Sequence, residues 1–136
     1  MKINSGRFKN SSIEILKNSS FRPTTSLSRK SLFDSLGSLE DKSFLDIFAG
    51  SGIVGFEAAS RGAQKVTFVE MHKKYLNQII FNSKKIEYNK FKFLARDAHR
   101  FIKKCDNYDI IFADPPYQLY ELDAFIENAL KKLKKN

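Results

Sequence analysis

The chain has little of what marks a secreted or membrane protein. Its 136 residues include one cysteine, Cys105, so no internal disulfide can form and nothing indicates an oxidising compartment. No apolar run approaches the roughly 20 residues that a helix needs to span a bilayer. The amino terminus has no apolar stretch behind its first charge, so no secretory signal is expected. We therefore expect a cytoplasmic protein.

Tryptophan is absent, whereas there are 13 phenylalanines and 5 tyrosines. Apolar residues make up 42% of the sequence and charged residues 29%, which is typical of a globular chain and excludes a disordered tail. The length fits one domain that buries roughly two thirds of its unfolded surface. We therefore expect a single core in which phenylalanine does much of the packing.

Acidic residues are in short supply, with 15 against 24 basic ones and a net charge of +9. Residues 1–33 contain a single acid, Glu14, and the far end carries a lysine run over residues 131–135. Such a surplus favours a polyanionic partner, because lysine and arginine that neutralise phosphates release counterions. The alternative is a proteome biased towards lysine, asparagine, isoleucine and phenylalanine.

Strand and helix patterns alternate along most of the chain. Short runs rich in β-branched and aromatic residues predict strands at residues 44–48, 65–70, 91–95 and 108–114. Helical patterns fall at residues 53–61, 72–87, 98–104 and 121–132, and one more, capped by Ser26 or Ser28, precedes the first strand. Strands separated by helices form a parallel sheet through right-handed crossovers. The predicted fold class is α/β.

Residues 1–20 fit this alternation poorly and are treated as a separate N-terminal region. Their apolar residues are interspersed with glycine, asparagine and serine, which predicts a short hairpin or an extended basic arm carrying Arg7 and Lys9. Residues 21–136 are assigned to the α/β domain.

A glycine-rich motif follows the first predicted strand. Gly50, Gly52 and Gly55 satisfy G-x-G-x-x-G between a strand and a helix, where glycines allow a tight turn and a close approach of ligand to the main chain. Glu70 ends the next strand, 20 residues after Gly50, where a carboxylate can accept both ribose hydroxyls of a nucleoside. The alternative is a plain β–α turn with a solvent-facing Glu70.

Asp46, four residues before Gly50, distinguishes two classes of nucleoside cofactor. A dinucleotide would place its pyrophosphate at the helix N-terminus, where this carboxylate would repel it. S-adenosylmethionine instead carries an ammonium group and a sulfonium, which a carboxylate attracts. Asp97, after the third strand, can accept a hydrogen bond from the adenine amino group or cap the following helix, and the two roles are compatible.

The residues Asp114-Pro115-Pro116-Tyr117 end the fourth predicted strand. Sites in open parallel sheets lie beyond the carboxyl ends of the strands, so this corner shares a crevice with the glycine motif. The prolines stiffen the corner, and hydrogen bonds from an exocyclic base amine to Asp114 would free the nitrogen lone pair. Tyr117 can stack on the base, a contact worth roughly 1–3 kcal/mol. The alternative is a strand stopped by proline beside a surface tyrosine.

Together these motifs resemble a known family. Asp-x-Phe-Ala-Gly-Ser-Gly from Asp46 with Asp-Pro-Pro-Tyr is similar to S-adenosylmethionine-dependent amino-methyltransferases. Residues 21–33, which include Arg-Pro-Thr-Thr from Arg22, resemble a segment of the RsmD-type bacterial 16S ribosomal RNA guanine-N2 methyltransferases, and Ile3-x-x-Gly-Arg-x-Lys resembles that family's N-terminal strand. The resemblance covers nearly the whole chain, in the family's order.

The resemblance implies a Rossmann-like class I methyltransferase fold that moves a methyl group from S-adenosyl-L-methionine to N2 of a guanine in 16S rRNA or the small ribosomal subunit. It assigns cofactor binding to Asp46, Ala49, Gly50, Ser51, Gly52, Glu70, Met71, Asp97 and Ala98. It assigns the target guanine to Asp114, Pro115, Pro116 and Tyr117, and RNA contacts or site closure to Arg7, Lys9, Arg22 and Arg29. The two histidines and Cys105 lack metal-ligand spacing, so no metal is expected.

Such methyltransferases continue with three further strands, whereas this chain ends at Asn136. We therefore expect a sheet without the C-terminal strands, whose fourth strand is an open edge unless a partner chain covers it. Two other functions stay open. One is a DNA adenine-N6 methyltransferase, because the same proline corner serves both amines. The other is a non-catalytic RNA-binding remnant of a methyltransferase.

Overall fold

Helices and strands alternate along the chain, as the sequence pattern predicts. The computed structural model describes residues 1–17, 19, 24–115 and 121–135. Its elements are α1 (Ser26–Leu36), β1 (Ser43–Ile47), α2 (Ile53–Ser60), β2 (Lys65–Val69), α3 (Lys73–Ser83), β3 (Phe91–Leu94), α4 (Ala98–Lys104), β4 (Ile110–Ala113) and α5 (Leu122–Lys131). None of these helices is long and apolar enough to cross a membrane.

Element ends differ from the predicted ones by a few residues. The largest difference is at α3, which was predicted to run to residue 87 and ends at Ser83. After Ser83 the chain tightens, because the Lys85 and Ile86 N–H groups donate to carbonyls three residues back, at 3.2 and 3.1 Å. The first helix begins after Thr25, whose side chain accepts from the Ser28 N–H, and not after Ser26 or Ser28.

The four strands form one parallel sheet in the order β3-β2-β1-β4. In its register, Asp46 on β1 stands between Phe68 on β2 and Phe112 on β4. The strand order changes direction at β1, since β2 and β3 lie on one side of it and β4 on the other. The carboxyl ends of β1 and β4 are therefore the place where α/β sheets of this strand order bind ligands.

Phenylalanine dominates the core, as its abundance predicts. On one face of the sheet, the Phe68 ring lies 5.1 Å from Phe56, 5.5 Å from Phe91 and 5.6 Å from Phe93, centroid to centroid. Such pairs add about 0.5–1.5 kcal/mol each beyond the area that they bury. The other face packs a second, smaller cluster around Ile102 and Phe125, from α4 and α5.

The N-terminal region is a hairpin built into the first core cluster, not a freestanding arm. Lys2 and Ser12 form an antiparallel bridge, and the Ile3 N–H donates to the Ser11 carbonyl at 3.0 Å. Ile3 and Ile13 are both only 1% exposed and pack in the same cluster as α1, α2 and α3. The predicted boundary after residue 20 therefore separates segments that share one core.

The outer edge of β4 is open along the strand itself but paired just before it. Tyr108 forms a parallel bridge with Leu133, since its N–H donates to the Lys132 carbonyl and its carbonyl accepts the Lys134 N–H, both at 2.8 Å. Among the residues that the structure describes, nothing pairs with the outer side of β4 beyond that bridge. The chain after α5 thus returns to the sheet at Tyr108, the first residue of the predicted strand, and the described residues bring no further strand to this edge.

Candidate cofactor and acceptor site

The turn between β1 and α2 has an unusual backbone conformation. Gly50 and Gly52 have φ angles of 58° and 77°, in the left-handed region that glycine adopts without steric cost. Phe48, in the same turn, has a φ of 63°, a conformation that costs a non-glycine residue on the order of 1–3 kcal/mol. Strain of this kind collects where a structure holds a ligand, so the turn is the first candidate element of a site.

Asp46 stabilises the start of α2, which follows the glycine turn, through a backbone hydrogen bond. Gly52 has no side chain to cap α2, and the Gly55 N–H in the first turn of the helix donates instead to Asp46 Oδ2 at 3.0 Å. A methyl group at Gly55 would overlap the Phe68 ring, so glycine is required there for α2 to lie this close to the sheet. The third glycine of the motif is therefore a packing residue.

Burial raises the pKa of the Asp46 carboxyl well above its usual 3.8, against the opposing effect of the Gly55 N–H. The nearby carboxylates of Glu70 and Asp114 raise that pKa further. Three acids, one in β1 and one directly after each of β2 and β4, thus stand at the carboxyl edge of the sheet, in a chain whose net charge is +9.

The Glu70 carboxylate accepts hydrogen bonds from two backbone N–H groups, one of them in the glycine turn. Its Oε1 accepts the Gly50 N–H and its Oε2 accepts the His72 N–H, both at 2.9 Å. The residue is 7% exposed, so the alternative of a solvent-facing glutamate is wrong. An ionised carboxylate has about four acceptor positions, and these two bonds leave capacity for a ligand's hydroxyl groups.

The other predicted cofactor residues follow the carboxyl ends of β1, β2 and β3. Asp97 caps α4, because its Oδ1 accepts the Arg100 N–H at 3.1 Å, and its second oxygen accepts no hydrogen bond from the described part of the chain. The remaining members are half-buried Ala49, buried Ser51 and Ala98, and exposed Met71.

Asp114 and Pro115 follow β4 directly, and Asp114 is exposed at the crevice. Ala113 pairs with Ile47 in the sheet register, so Asp114 leaves β4 beside Phe48, where the glycine turn begins. The other two residues of the corner, Pro116 and Tyr117, lie outside the described residues, as does Arg22.

The acidic side chains at this edge of the sheet suit S-adenosylmethionine and not a dinucleotide. A pyrophosphate at the α2 N-terminus would face the carboxylates of Asp46 and Glu70, whereas ammonium and sulfonium groups would be attracted by them. S-adenosylmethionine therefore fits the residues present, and a dinucleotide does not. In the ranges that the structure covers, no group of three histidine, cysteine or acidic side chains is placed to hold a metal.

Of the residues predicted to contact RNA, two have exposed side chains and one is buried. Arg7 and Lys9 are exposed on the N-terminal hairpin, and the Arg7 guanidinium lies 5.5 Å from the centroid of the Phe8 ring. Arg29 is only 1% exposed, and its two terminal nitrogens donate to the carbonyls of Thr24 (2.9 Å) and Lys2 (2.7 Å). The prediction that Arg29 contacts RNA is therefore wrong: it ties α1 to the hairpin.

Glu57, which the sequence pattern does not single out, explains the burial of Arg29. Its carboxylate lies 3.5 Å from Arg29 Nε and accepts bonds from Arg61 Nε and from the backbone N–H groups of Asn4 and Ser5, at 2.9 to 3.1 Å. The available signal was a glutamate inside an otherwise apolar helix, Ile-Val-Gly-Phe-Glu-Ala-Ala-Ser. Such an acid must find buried partners.

The segment after the hairpin also lies near the glycine turn, which the sequence pattern does not predict. Residues 14–16 line one small cavity, of about 10 Å³, together with Gly50 and Ser51 of the glycine turn and with Tyr75 and Gln78 of α3. A larger cavity, of about 360 Å³, is lined by residues at the starts of the strands, such as Ser43 and Lys65, and so belongs to the opposite edge of the sheet.

Solved structures identify the class of fold. The Escherichia coli protein yhhF superposes with a TM-score of 0.87 at 27% identity, covering 98% of this chain and 73% of that one. The protein TTHA0928 of Thermus thermophilus superposes with a TM-score of 0.84 at 28% identity, covering 97% and 78%. The fold is that of the class I methyltransferases.

The family follows from sequence. The chain belongs to the family described as Conserved hypothetical protein 95, whose model matches residues 1–136. It is 35% identical over 137 residues to the Ribosomal RNA small subunit methyltransferase D of Buchnera aphidicola subsp. Baizongia pistaciae, covering 96% of this chain and 68% of that protein. The protein of the same name in Escherichia coli K12 is 32% identical, with 87% and 61% covered. The RsmD-type resemblance is thus confirmed, and the chain spans about two thirds of these relatives' length.

Proposed function

We propose that the chain is a methyltransferase acting on ribosomal RNA, with S-adenosyl-L-methionine as methyl donor and N2 of a guanine in 16S rRNA as acceptor. The observation that carries the proposal is the convergence of the glycine turn, Glu70 and Asp114 on the edge of the sheet where the strand order changes direction. The names of the small-subunit relatives support rRNA as substrate. A guanine amine as acceptor rests on the family resemblance and the chemistry of the corner.

In this proposal each carboxylate at the edge has a separate part in holding the cofactor. Glu70 accepts the ribose hydroxyls with its spare lone pairs, and Asp97 accepts the adenine amino group. Asp46 attracts the ammonium end across the glycine turn, whose main chain the ligand approaches closely. Ala49, Gly50, Ser51, Gly52, Met71 and Ala98 line the same pocket.

Asp114 prepares the acceptor. A base amine is a poor nucleophile because its lone pair is delocalised into the ring, and hydrogen bonds from its N–H groups to Asp114 and a neighbouring carbonyl free that pair. The cofactor supplies a methyl group on a sulfonium. With the cofactor bound, the amine nitrogen would take the methyl group, the electron pair of the broken carbon–sulfur bond would stay on sulfur, and Asp114 would accept the proton that the amine loses. Positioning supplies most of the remaining rate enhancement.

The same corner holds the base. The sequence pattern predicts that Pro115 and Pro116 stiffen the chain after β4 and that Tyr117 would stack on the purine, a contact worth roughly 1–3 kcal/mol. The roles of Pro116 and Tyr117 in this proposal rest on the sequence pattern alone.

The RNA partner is bound through phosphates by the basic hairpin, with exposed Arg7 and Lys9 as its contacts. Arg22 is retained as a third contact on the strength of the sequence pattern. An rRNA substrate also implies that the protein acts in the bacterial cytoplasm, beside assembling subunits. Binding should weaken steeply as salt rises.

A partner strand on β4 completes the proposal. The Tyr108–Leu133 bridge sets a parallel register along the outer edge, and from Ile110 onwards the described part of the chain places no strand on that side of β4. We propose that a strand from another polypeptide segment adds there in that register.

The test is transfer of a tritiated methyl group to purified small subunits that lack the modification, followed by nucleoside analysis. We expect N2-methylguanosine in 16S rRNA. Labelled N6-methyladenine in duplex DNA would support the DNA alternative. Salt-dependent RNA binding without any calorimetric heat from S-adenosylmethionine would identify a non-catalytic remnant and overturn the proposal.

A further inference from the structure

We infer that Asn82 is a positioning residue for the cofactor: it fixes the backbone of Glu14 and so holds residues 14–16, here named the strap, against the glycine turn. This inference rests on the proposed function, because it assigns the strap to one wall of the S-adenosylmethionine site. Asn82 lies on α3 and has no exposed surface.

The contact between Asn82 and the strap uses both ends of the side-chain amide. The Glu14 N–H donates to Asn82 Oδ1 at 3.2 Å, and Asn82 Nδ2 donates to the Glu14 carbonyl at 2.9 Å. The amide thus takes the place of a neighbouring strand and satisfies the N–H and the carbonyl of one residue together. Gln78 adds a longer bond of 3.4 Å to the same carbonyl.

The position of this contact connects it with the site. Ile15 and Leu16 follow Glu14 immediately, are half-buried, and line the cavity of about 10 Å³ against Gly50 and Ser51. A space of that size holds at most one water molecule, so the strap rests almost directly on the turn.

The strap is attached separately on its upstream side. Ile13 is buried in the core, and Lys85 Nζ donates to the Ser12 carbonyl at 3.1 Å. Those contacts anchor the hairpin, which would stay docked without Asn82. Loss of the Asn82 amide should therefore release the strap without unfolding the domain.

The experiment combines two measurements on the variants Asn82→Ala and Asn82→Asp. Hydrogen exchange reports whether the backbone around Glu14 is held, and calorimetry reports the affinity for S-adenosylmethionine. Ala removes both bonds, whereas Asp keeps the acceptor for the Glu14 N–H but loses the donor to its carbonyl. Asn77→Ala, at an exposed asparagine of the same helix, is the matched control.

We expect faster exchange in the peptide that contains Glu14 and about tenfold weaker cofactor binding in both Asn82 variants, as the loss of one or two buried hydrogen bonds implies. The control should match the wild type in both measurements. Faster exchange with unchanged cofactor affinity would overturn the inference and leave the proposed function standing. Absence of cofactor binding by the wild type would instead remove the proposed function.

A second pair of variants covers the case in which Asn82 cannot be replaced without unfolding. Leu16→Ala shortens the wall itself at a half-buried position, and Leu27→Ala, at a side chain 78% exposed on α1, is its control. Leu16→Ala should weaken cofactor binding severalfold and Leu27→Ala should not. Equal affinities of these two variants would contradict the assignment of the strap to the site.

Discussion

Glu57 and Asp46 are both buried acids, 0% and 1% exposed, and their surroundings are opposite. Glu57 has two arginines beside it and accepts two backbone N–H groups of the hairpin. Asp46 has one N–H partner, that of Gly55, and other carboxylates as its charged neighbours. The carboxylate of Glu57 has cationic and N–H partners and joins three segments of the fold, whereas that of Asp46 is left in a negative environment that suits a cationic ligand.

Replacing Glu57 should have the largest effect of all, and that effect should be on stability. Glu57→Ala leaves Arg29 buried without its charge partner and removes the acceptor for the Asn4 and Ser5 N–H groups. Breaking a buried pair from one side costs about 3–5 kcal/mol of the free energy of unfolding. Urea denaturation measures it, with Glu87→Ala at an exposed position as control. A loss as small as the control's would show that the Glu57 cluster does not hold the hairpin.

Asp114→Ala should have the reverse effect, on activity and not on stability. We expect methyl transfer to fall by at least about 100-fold, since this side chain directs the acceptor amine. Asp114 is exposed, so the urea midpoint and the affinity for S-adenosylmethionine should stay close to those of the wild type. Equal losses of transfer and of cofactor affinity would mean that Asp114 belongs to the cofactor's part of the site.

The pH dependence of stability should separate Asp46 from ordinary surface acids. Because its folded pKa is raised, the stability that Asp46 contributes is fully present below the unfolded value near 3.8 and is lost as the pH rises through the folded pKa. In Asp46→Asn this loss should disappear. Free energies of unfolding of the two proteins, measured from acid to neutral pH, should therefore move apart in favour of the variant. Parallel curves would contradict the raised pKa.

The smallest effect concerns Asp97, which caps a helix and is proposed to bind adenine. Asp97→Ala should cost about 1 kcal/mol of stability through the lost cap of α4. Asp97→Asn keeps an oxygen that accepts the Arg100 N–H, but it replaces the second carboxylate oxygen by an NH₂ group, which cannot accept a hydrogen bond from the adenine amino group. It should therefore lower cofactor affinity without lowering the melting temperature, and a variant that binds the cofactor normally would restrict Asp97 to its capping role.

The alternating elements and the glycine turn were predictable because their signals are local. Each strand is a contiguous apolar run, and the spacing from Asp46 to Gly55 sets a turn whose geometry depends mainly on its own glycines. The spacing from Gly50 placed Glu70, and the end of the fourth apolar run placed Asp114, at strand ends, which in a parallel sheet meet at one edge.

Contacts between distant segments were not predictable in the same way. Arg29 has the appearance of a surface cation until α2 brings Glu57 to it, 28 residues further along the chain. Asn82 and Glu14 are 68 residues apart, and nothing in either neighbourhood indicates the pair. The same holds for the Tyr108–Leu133 bridge, which is decided by the path of the chain after α5.

Calorimetric titration of S-adenosylmethionine into the wild-type chain and into Glu70→Ala shows whether Glu70 and the glycine turn form the cofactor site. We expect one binding site in the wild type and an affinity at least about tenfold lower in the variant, because the acceptors for the ribose hydroxyls and the hydrogen bonds from Glu70 to the glycine turn are both lost. No heat with the wild type, or the same affinity in both proteins, would contradict it.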